Sequence, residues 1–312
     1  MAKLLVFALC FAPTLSFGKQ YLRFGGGPTG GSFQIYANGI ASLINKKMQG
    51  KLKITPQGSG GSTENLRKIE GGRTNMAVVH SGDLYLGRRG KLNRDPKKYT
   101  RALAVATLYH SAAQLVTSNK KITSISQVKG LRVGIGGAGS GAAATAKRFF
   151  EQIKVWQQIK PKFLGYSKAA SAIKDGQIDA MWVVSGFPTR AVMELAATSS
   201  LSFISLNAAA IGQDFYTKYP FYQKVEIPMN SYDGQSNAYH TFSDATLWVV
   251  NEQVSAEVVL AIMQHVFSKE GISYLSSITT GAATLNPKTS LESIKVPMHP
   301  GAVKFYKSLK LL

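Results

Sequence analysis

"GRTNMAVVHS", residues 72–81, sets a glycine and a short polar turn before an unbroken apolar run closed by histidine and serine. "GQIDAMWVVS", residues 176–185, repeats the order, with Gly176 for Gly72, Asp179 for Asn75 and Ser185 for Ser81. A short apolar run between turn residues marks a strand covered on both faces, as in the parallel sheets of α/β proteins. Outward from each run the same series recurs: strand, glycine loop, helix, strand, helix, strand. The first series starts at Tyr21 and uses "YLRFG", an amphipathic helix over 33–47, "KLKITPQ" and a helix over 62–70. The second starts at Leu131 and uses "LRVGIGG", a helix over 140–153, "KFLG" and a helix over 168–174. This alternation predicts two similar α/β units, each a mostly parallel sheet flanked by helices.

Between the units, "ALAVATLY" and "AAQLVTS" read as two strands with no helix between them, joined near Tyr109 to Ala113. Beyond Pro220, "YPFYQKVEIPMNSYDGQ" reads as a surface excursion, rich in prolines and turn residues. "ATLWVVNE" reads as one more strand, 254–269 as an amphipathic helix, and a short helix follows Pro300. The expected path makes one lobe, crosses to a second and returns.

Composition bounds the function. The chain has 312 residues, of which 45% are hydrophobic and 17% charged, enough for two globular domains. Lys3, an apolar run over 4–12 and small residues near Gly18 form the pattern of a secretory signal peptide, expected over 1–18. Cys10 is the one cysteine, so no disulfide is expected beyond the leader. The net charge is +21, but its lysines and arginines fall in scattered pairs such as Lys97–Lys98 and Lys147–Arg148, read as solvated helix faces. No basic tract interleaved with aromatics appears, so nucleic-acid binding is not expected.

Three glycine-rich loops, 25–31, 58–61 and 134–141, each lead into a helix through a hydroxyl at or near its N-cap: Ser32, Ser62 and Ser140. Exposed amides and the positive end of a helix dipole favour an anion there. Two loops match G-x-G-x-x-G, at Gly25, Gly27, Gly30 and at Gly134, Gly136, Gly139. The strands that follow, ending "KITPQ" and "PKFLG", lack the ribose-binding carboxylate, which excludes a nicotinamide site. Phe33 stands where a P-loop needs its lysine. Paired loops in facing lobes instead predict a clamp for a small anion.

Catalytic groups are sparse. His80, His110, His240, His265 and His299 have no metal-ligand spacing, so neither a metal nor a cofactor is expected. His80 and Ser81 adjoin at a strand end with no acidic orienter evident in the sequence, which makes a hydrolase triad a poor fit. An exported enzyme or a sensor acting on a small anion remains the alternative to a binding protein.

"GGGPTGGSF", "QGSGGSTENLRKIEGGRTNMAVVHS", "VKGLRVGIGGAGSG", "IKDGQIDAMWVVSGFPTRAVMELA", "YPFYQKVEIP" and "VPMHPGAVKFYK" follow one another between about Tyr21 and Lys307. Together they resemble the TAXI proteins, the solute-binding subunits of one class of tripartite ATP-independent periplasmic (TRAP) transporters. The resemblance implies a two-lobed α/β periplasmic binding protein of the type II kind, with hinge strands between the lobes. Lobe one would span 19–112 with 250–312, and lobe two 113–249. It implies a monomeric periplasmic receptor, not an enzyme, that binds a glutamate-like amino acid or dicarboxylate and delivers it to a fused TRAP-type permease. The ligand-binding positions it implies in lobe one are Thr29, Gly30, Gly31, Ser32, Phe33, Tyr36, Ser59, Gly60, Gly61, Ser62, His80 and Ser81, with Tyr109 at the hinge. Those implied in lobe two are Gly137, Gly139, Ser140, Gly141, Ser185, Gly186, Phe187 and Pro188. The chain departs from the family pattern at His80-Ser81-Gly82, where Gln-Ser-Asp is usual and Asp83 is displaced by one. It departs again at Ala142, where a threonine is favoured.

Overall fold

The computed structural model describes residues 19–292 and 294–312, so the leader expected over 1–18 lies outside the described residues. The first unit runs β1 (Gln20–Gly25), α1 (Ser32–Lys47), β2 (Leu52–Gln57), α2 (Ser62–Glu70), β3 (Met76–His80) and α3 (Ser81–Arg88). β4 (Ala102–Thr117) leads into the second unit. That unit runs β5 (Arg132–Gly134), α4 (Gly141–Gln152), β6 (Lys160–Lys162), α5 (Tyr166–Lys174), β7 (Ala180–Ser185) and α6 (Arg190–Ala196). There follow β8 (Ser202–Phe203), α7 (Asn207–Gly212), α8 (Phe215–Lys218), β9 (Tyr222–Ile227) and the returning β10 (Tyr239–Asn251). Four helices close the chain: α9 (Ala256–Val266), α10 (Lys269–Ile278), α11 (Pro287–Glu292) and α12 (Pro300–Ser308).

The strands make one sheet in the order β2-β1-β3-β10-β4-β7-β5-β6, with β9 added on β10 and β8 on β4. Read inward from its two edges, the sheet repeats itself. β2, β1 and β3 are mutually parallel through β1, and β6, β5 and β7 are parallel through β5. The sequence repeat is therefore a structural one, with β3 and β7 as the inner strand of each unit. Each meets an antiparallel central strand, β3 on β10 and β7 on β4. Every residue of β3 and of β7 is buried, as helices on both faces require.

The apolar faces divide among three cores. α1, α9 and α12 cover one face of the first unit around Ile40, Trp248 and Phe305, while α2 and α3 cover the other around Leu66, Val79 and Leu84. The second unit packs Phe149, Trp182, Phe215 and Phe242 into one aromatic core, with Trp182 stacked on Phe149 at 5.6 Å.

Four expectations are corrected. Residues 102–117 form one continuous strand rather than two, because no residue between Tyr109 and Ala113 forces a turn. The aromatic excursion after Pro220 contains β9, and Tyr222 and Tyr232 are buried in the second core rather than lying on the surface. The helix placed over 254–269 stops at Val266, where Ser268 caps the next helix by accepting from the Gly271 amide. The strand read at 162–165 lies at Lys160–Lys162, where Pro161 is tolerated on an edge. Among the described residues no helix is long and apolar enough to cross a membrane.

Candidate functional site

The loops after β1 and β2, the end of β3, the start of α4 and the end of β7 converge on one crevice between the units. Of the positions expected to bind ligand, Gly31, Ser32, Phe33, Gly60, Gly61, Ser62, His80, Gly141 and Ser185 line it. Pro28, Ala142, Tyr166 and Val184 complete the wall. The space enclosed is about 10 Å³, no more than the room one water needs. The two units are in contact across it.

Local geometry explains the hydroxyls. Gly31 and Gly61 take the N-cap positions of α1 and α2, Gly61 with φ 116°, a conformation that side chains avoid. Ser32 and Ser62 are thus the first helical residues, not the caps, and their hydroxyls turn to other partners. The Ser62 hydroxyl accepts from the His80 amide at 2.9 Å. The Ser32 hydroxyl lies 3.0 Å from that of Ser185, which also accepts from the Ser32 amide at 3.1 Å. Ser140 does cap α4, accepting from Ala143 at 3.0 Å.

Further contacts cross the crevice. The Thr63 hydroxyl donates to the Gly139 carbonyl, the Ala191 amide to the Gly30 carbonyl and the Ser167 hydroxyl to the Thr29 carbonyl. Lys147 reaches Asn93 at 3.2 Å. One ion pair crosses in the interior: Arg148 Nη2 donates to Asp83 Oδ1 at 2.8 Å, with the Asp83 side chain wholly buried. The other Asp83 oxygen has no hydrogen-bond partner, nor does His80 Nδ1.

The electrostatics follow from burial. Loss of solvation pushes the His80 imidazole down to about 4, so it is neutral at neutral pH and rests its ring 4.8 Å from Phe33. The Asp244 carboxyl is pushed up to about 7 by burial, against the hydrogen bond from Ser81. Ser81 donates to Asp244 Oδ1 at 2.6 Å, and Gly82 adds its amide at 3.2 Å. An acidic partner for Ser81 therefore exists, 163 residues away in the chain, but it holds the serine hydroxyl away from any pairing with His80.

The remaining expected residues sit around the crevice rather than in its wall. Tyr36 is buried beneath it, stacked at 4.8 Å on Tyr109. The Tyr109 hydroxyl is surrounded by those of Ser32, Ser111 and Thr246 without a well-formed bond. Ser59 shapes its loop by donating to the Gly26 carbonyl and accepting from the Gly61 amide. A β-carbon on Gly186 would stand 3.1 Å from the Ser32 hydroxyl, and Phe187–Pro188, a cis peptide, follows it. Gly137 has open space around it. Gly139 and Ser140 also line a separate surface hollow beside Arg67. Ser81 lines a larger cavity, about 470 Å³, between Tyr85 and Phe221. His110, Ala245 and Leu247 form the floor of that cavity, on the face of β4 and β10 opposite Tyr109.

Asp83, Arg148 and Asp244 were not among the expected residues. Arg148 had been grouped with Lys147 as solvent-facing, yet it lies between Thr145 and Phe149 on the buried stripe of α4. That helical spacing is the signal that could have found it.

The sequence profile of the NMT1-like family matches residues 24–308, and the chain belongs to that family. Its fold resembles a protein of Bordetella bronchiseptica RB50 (TM-score 0.53, 16% identity, covering 94% of this chain and 89% of that one). It likewise resembles PhnD1 of Prochlorococcus marinus, solved in complex with methylphosphonate (TM-score 0.51, 12% identity, covering 94% and 99%). The periplasmic aliphatic sulphonate binding protein SsuA of Escherichia coli aligns with TM-score 0.44 at 14% identity, covering 83% and 78%. At such identities the likeness to the first two is one of fold.

Proposed function

We propose that this member of the NMT1-like family is an extracytoplasmic receptor. It binds a small carboxylate between its lobes and delivers it to a membrane permease. The observation that carries the reading is the convergence of glycine loops and helix N-termini from both halves of the sheet on one crevice. Hydroxyls of Ser32, Ser62 and Ser185 and the first amides of α1, α2 and α4 are all within its wall or beside it. Such groups recognise oxyanions. Methylphosphonate bound by PhnD1, a protein of the same fold, is a ligand of that kind. Because the crevice is closed, a ligand of several heavy atoms enters only when the lobes part, with β4 and β10 as the strands about which they turn. The sequence resemblance supports a periplasmic monomer working with a fused TRAP-type permease, and of the aromatic residues it offers for the carbon chain, Phe33, Tyr36 or Phe187, Phe33 stands in the crevice wall.

Calorimetric titration of the chain from Lys19 onward with amino acids and mono-, di- and tricarboxylates tests the reading. Saturable binding of one or a few small carboxylates is expected. Heat from none of them would overturn it.

A further inference from the structure

Asp83 and Arg148 approach each other from opposite lobes. Arg148 is held within its own lobe by Tyr222, which accepts from its Nε at 3.0 Å, and by Thr145, which accepts from Nη2 at 3.1 Å. Both partners would stay with Arg148 if the lobes parted, so the guanidinium is positioned before anything meets it. Asp83 comes from α3 in the other lobe. One of its oxygens takes Arg148, and the other lies only 2.6 Å from where a β-carbon on Gly141 would stand. Gly141 opens α4, a helix of 12 residues whose N-terminus attracts negative charge. That second oxygen is buried and unpartnered, and so is Nδ1 of His80, whose Cδ2 would lie 3.0 Å from the same β-carbon.

We infer that Arg148 and the first turn of α4 form an anion subsite, and that Asp83 occupies it as a resident carboxylate when the lobes close without ligand. The ligand's anionic group displaces Asp83 and takes its place on Arg148. Asp83 thus sets specificity: it lowers the affinity of every anion and excludes those too weak to compete. The inference deepens the receptor reading and rests on it only in requiring that the lobes open.

The test uses three variants of the chain from Lys19 onward, Asp83→Asn, Arg148→Met and the two combined, with inorganic sulfate as a probe that does not depend on the ligand being a carboxylate. Asp83→Asn should bind sulfate at least about tenfold more tightly than the unaltered chain, since a buried cation is then left without its partner. The double variant Asp83→Asn/Arg148→Met should lose that gain. Without any ligand, amide hydrogen exchange at Ser32 and Gly141 should be faster in both single variants, because closure has lost its ion pair. Unchanged or weaker sulfate binding by Asp83→Asn, or a gain that survives in the double variant, would overturn the inference. Unchanged exchange in both folded single variants would do so as well. If sulfate binding rises but no carboxylate binds the unaltered chain, the subsite stands and the choice of carboxylate as ligand falls.

Discussion

The amide and hydroxyl of Ser32, at the start of α1, both meet the Ser185 hydroxyl at the end of β7, at 3.1 and 3.0 Å. The two residues are 153 positions apart and come from equivalent ends of the two α/β units. The bond exists only while the lobes touch. Replacing Ser185 with alanine leaves the Ser32 amide without its partner in the closed form, at a cost of about 1–2 kcal/mol. Ligand affinity should fall by roughly 5- to 30-fold, since 1.4 kcal/mol is a factor of ten. The ligand-free melting temperature should fall by no more than that cost corresponds to, since parting the lobes escapes it. Calorimetry and a thermal melt on the same variant separate the two effects.

Gly141 offers a sharper separation. An alanine there would place its β-carbon 2.6 Å from both the Asp83 oxygen and the Ser62 β-carbon, each in the other lobe. Within α4 alanine is the better helix former by up to about 1 kcal/mol. Gly141→Ala should therefore fold at least as well with the lobes parted, while overpacking penalises closure by about 1–3 kcal/mol. Loss of ligand binding is expected, with a melting temperature lowered by no more than that closure penalty corresponds to. Normal binding would show that this contact is not made when ligand is held.

Asn65 ties the first glycine loop to the sheet. Its side-chain amide donates to the carbonyls of Gly26 and Val78 at 2.7 and 2.8 Å, all buried. Asn65→Ala abandons both acceptors and should cost about 2–3 kcal/mol in denaturant unfolding. Because the loop it fixes carries Gly31 and Ser32, ligand affinity should fall with it.

Two buried groups give opposite pH dependences. Asp244 binds its proton up to about pH 7 when folded, but near 3.8 when unfolded. The folded state is then the more protonated form across that window, so this group's contribution to stability declines as pH rises through it. His80 titrates near 4 when folded against 6.5 unfolded, so its contribution is present above 6.5 and is lost as pH falls towards 4. Between about 4 and 6.5 the two trends offset each other. In Asp244→Asn only the histidine trend remains, and stability should rise with pH across that range more steeply than in the unaltered chain. Parallel stability–pH curves for the two proteins would refute the assignment.

Much of this was legible in the sequence because it is local. The repeated apolar runs at Met76–His80 and Ala180–Ser185 fix the inner strands, and glycine loops followed by amphipathic periods mark α1, α2 and α4 within a residue or two. Nine positions of the crevice wall are among those the sequence resemblance implies, seven of them in or just after those loops and two, His80 and Ser185, at the ends of β3 and β7. What was not legible is non-local. Nothing near Ser81 announces Asp244, and nothing near Asp83 announces Arg148, since strand order and lobe contact bring each pair together. β9, which buries only Tyr222 and Ile227 at its ends, was hidden for a similar reason: Tyr222, set between Pro220 and Pro228, looks like part of a surface loop until β10 supplies the ladder and Phe215 and Phe242 supply the packing.

The central claim, that the crevice between the glycine loops holds a small carboxylate, is tested most directly by a crystal structure of the chain from Lys19 onward grown with the tightest ligand from the titrations. The account predicts density for the ligand between Ser32, Ser62, His80 and Ser185, with its carboxylate at the first turn of α4. Density for the ligand only in the cavity between Tyr85 and Phe221, with the glycine loops still in contact, would contradict it.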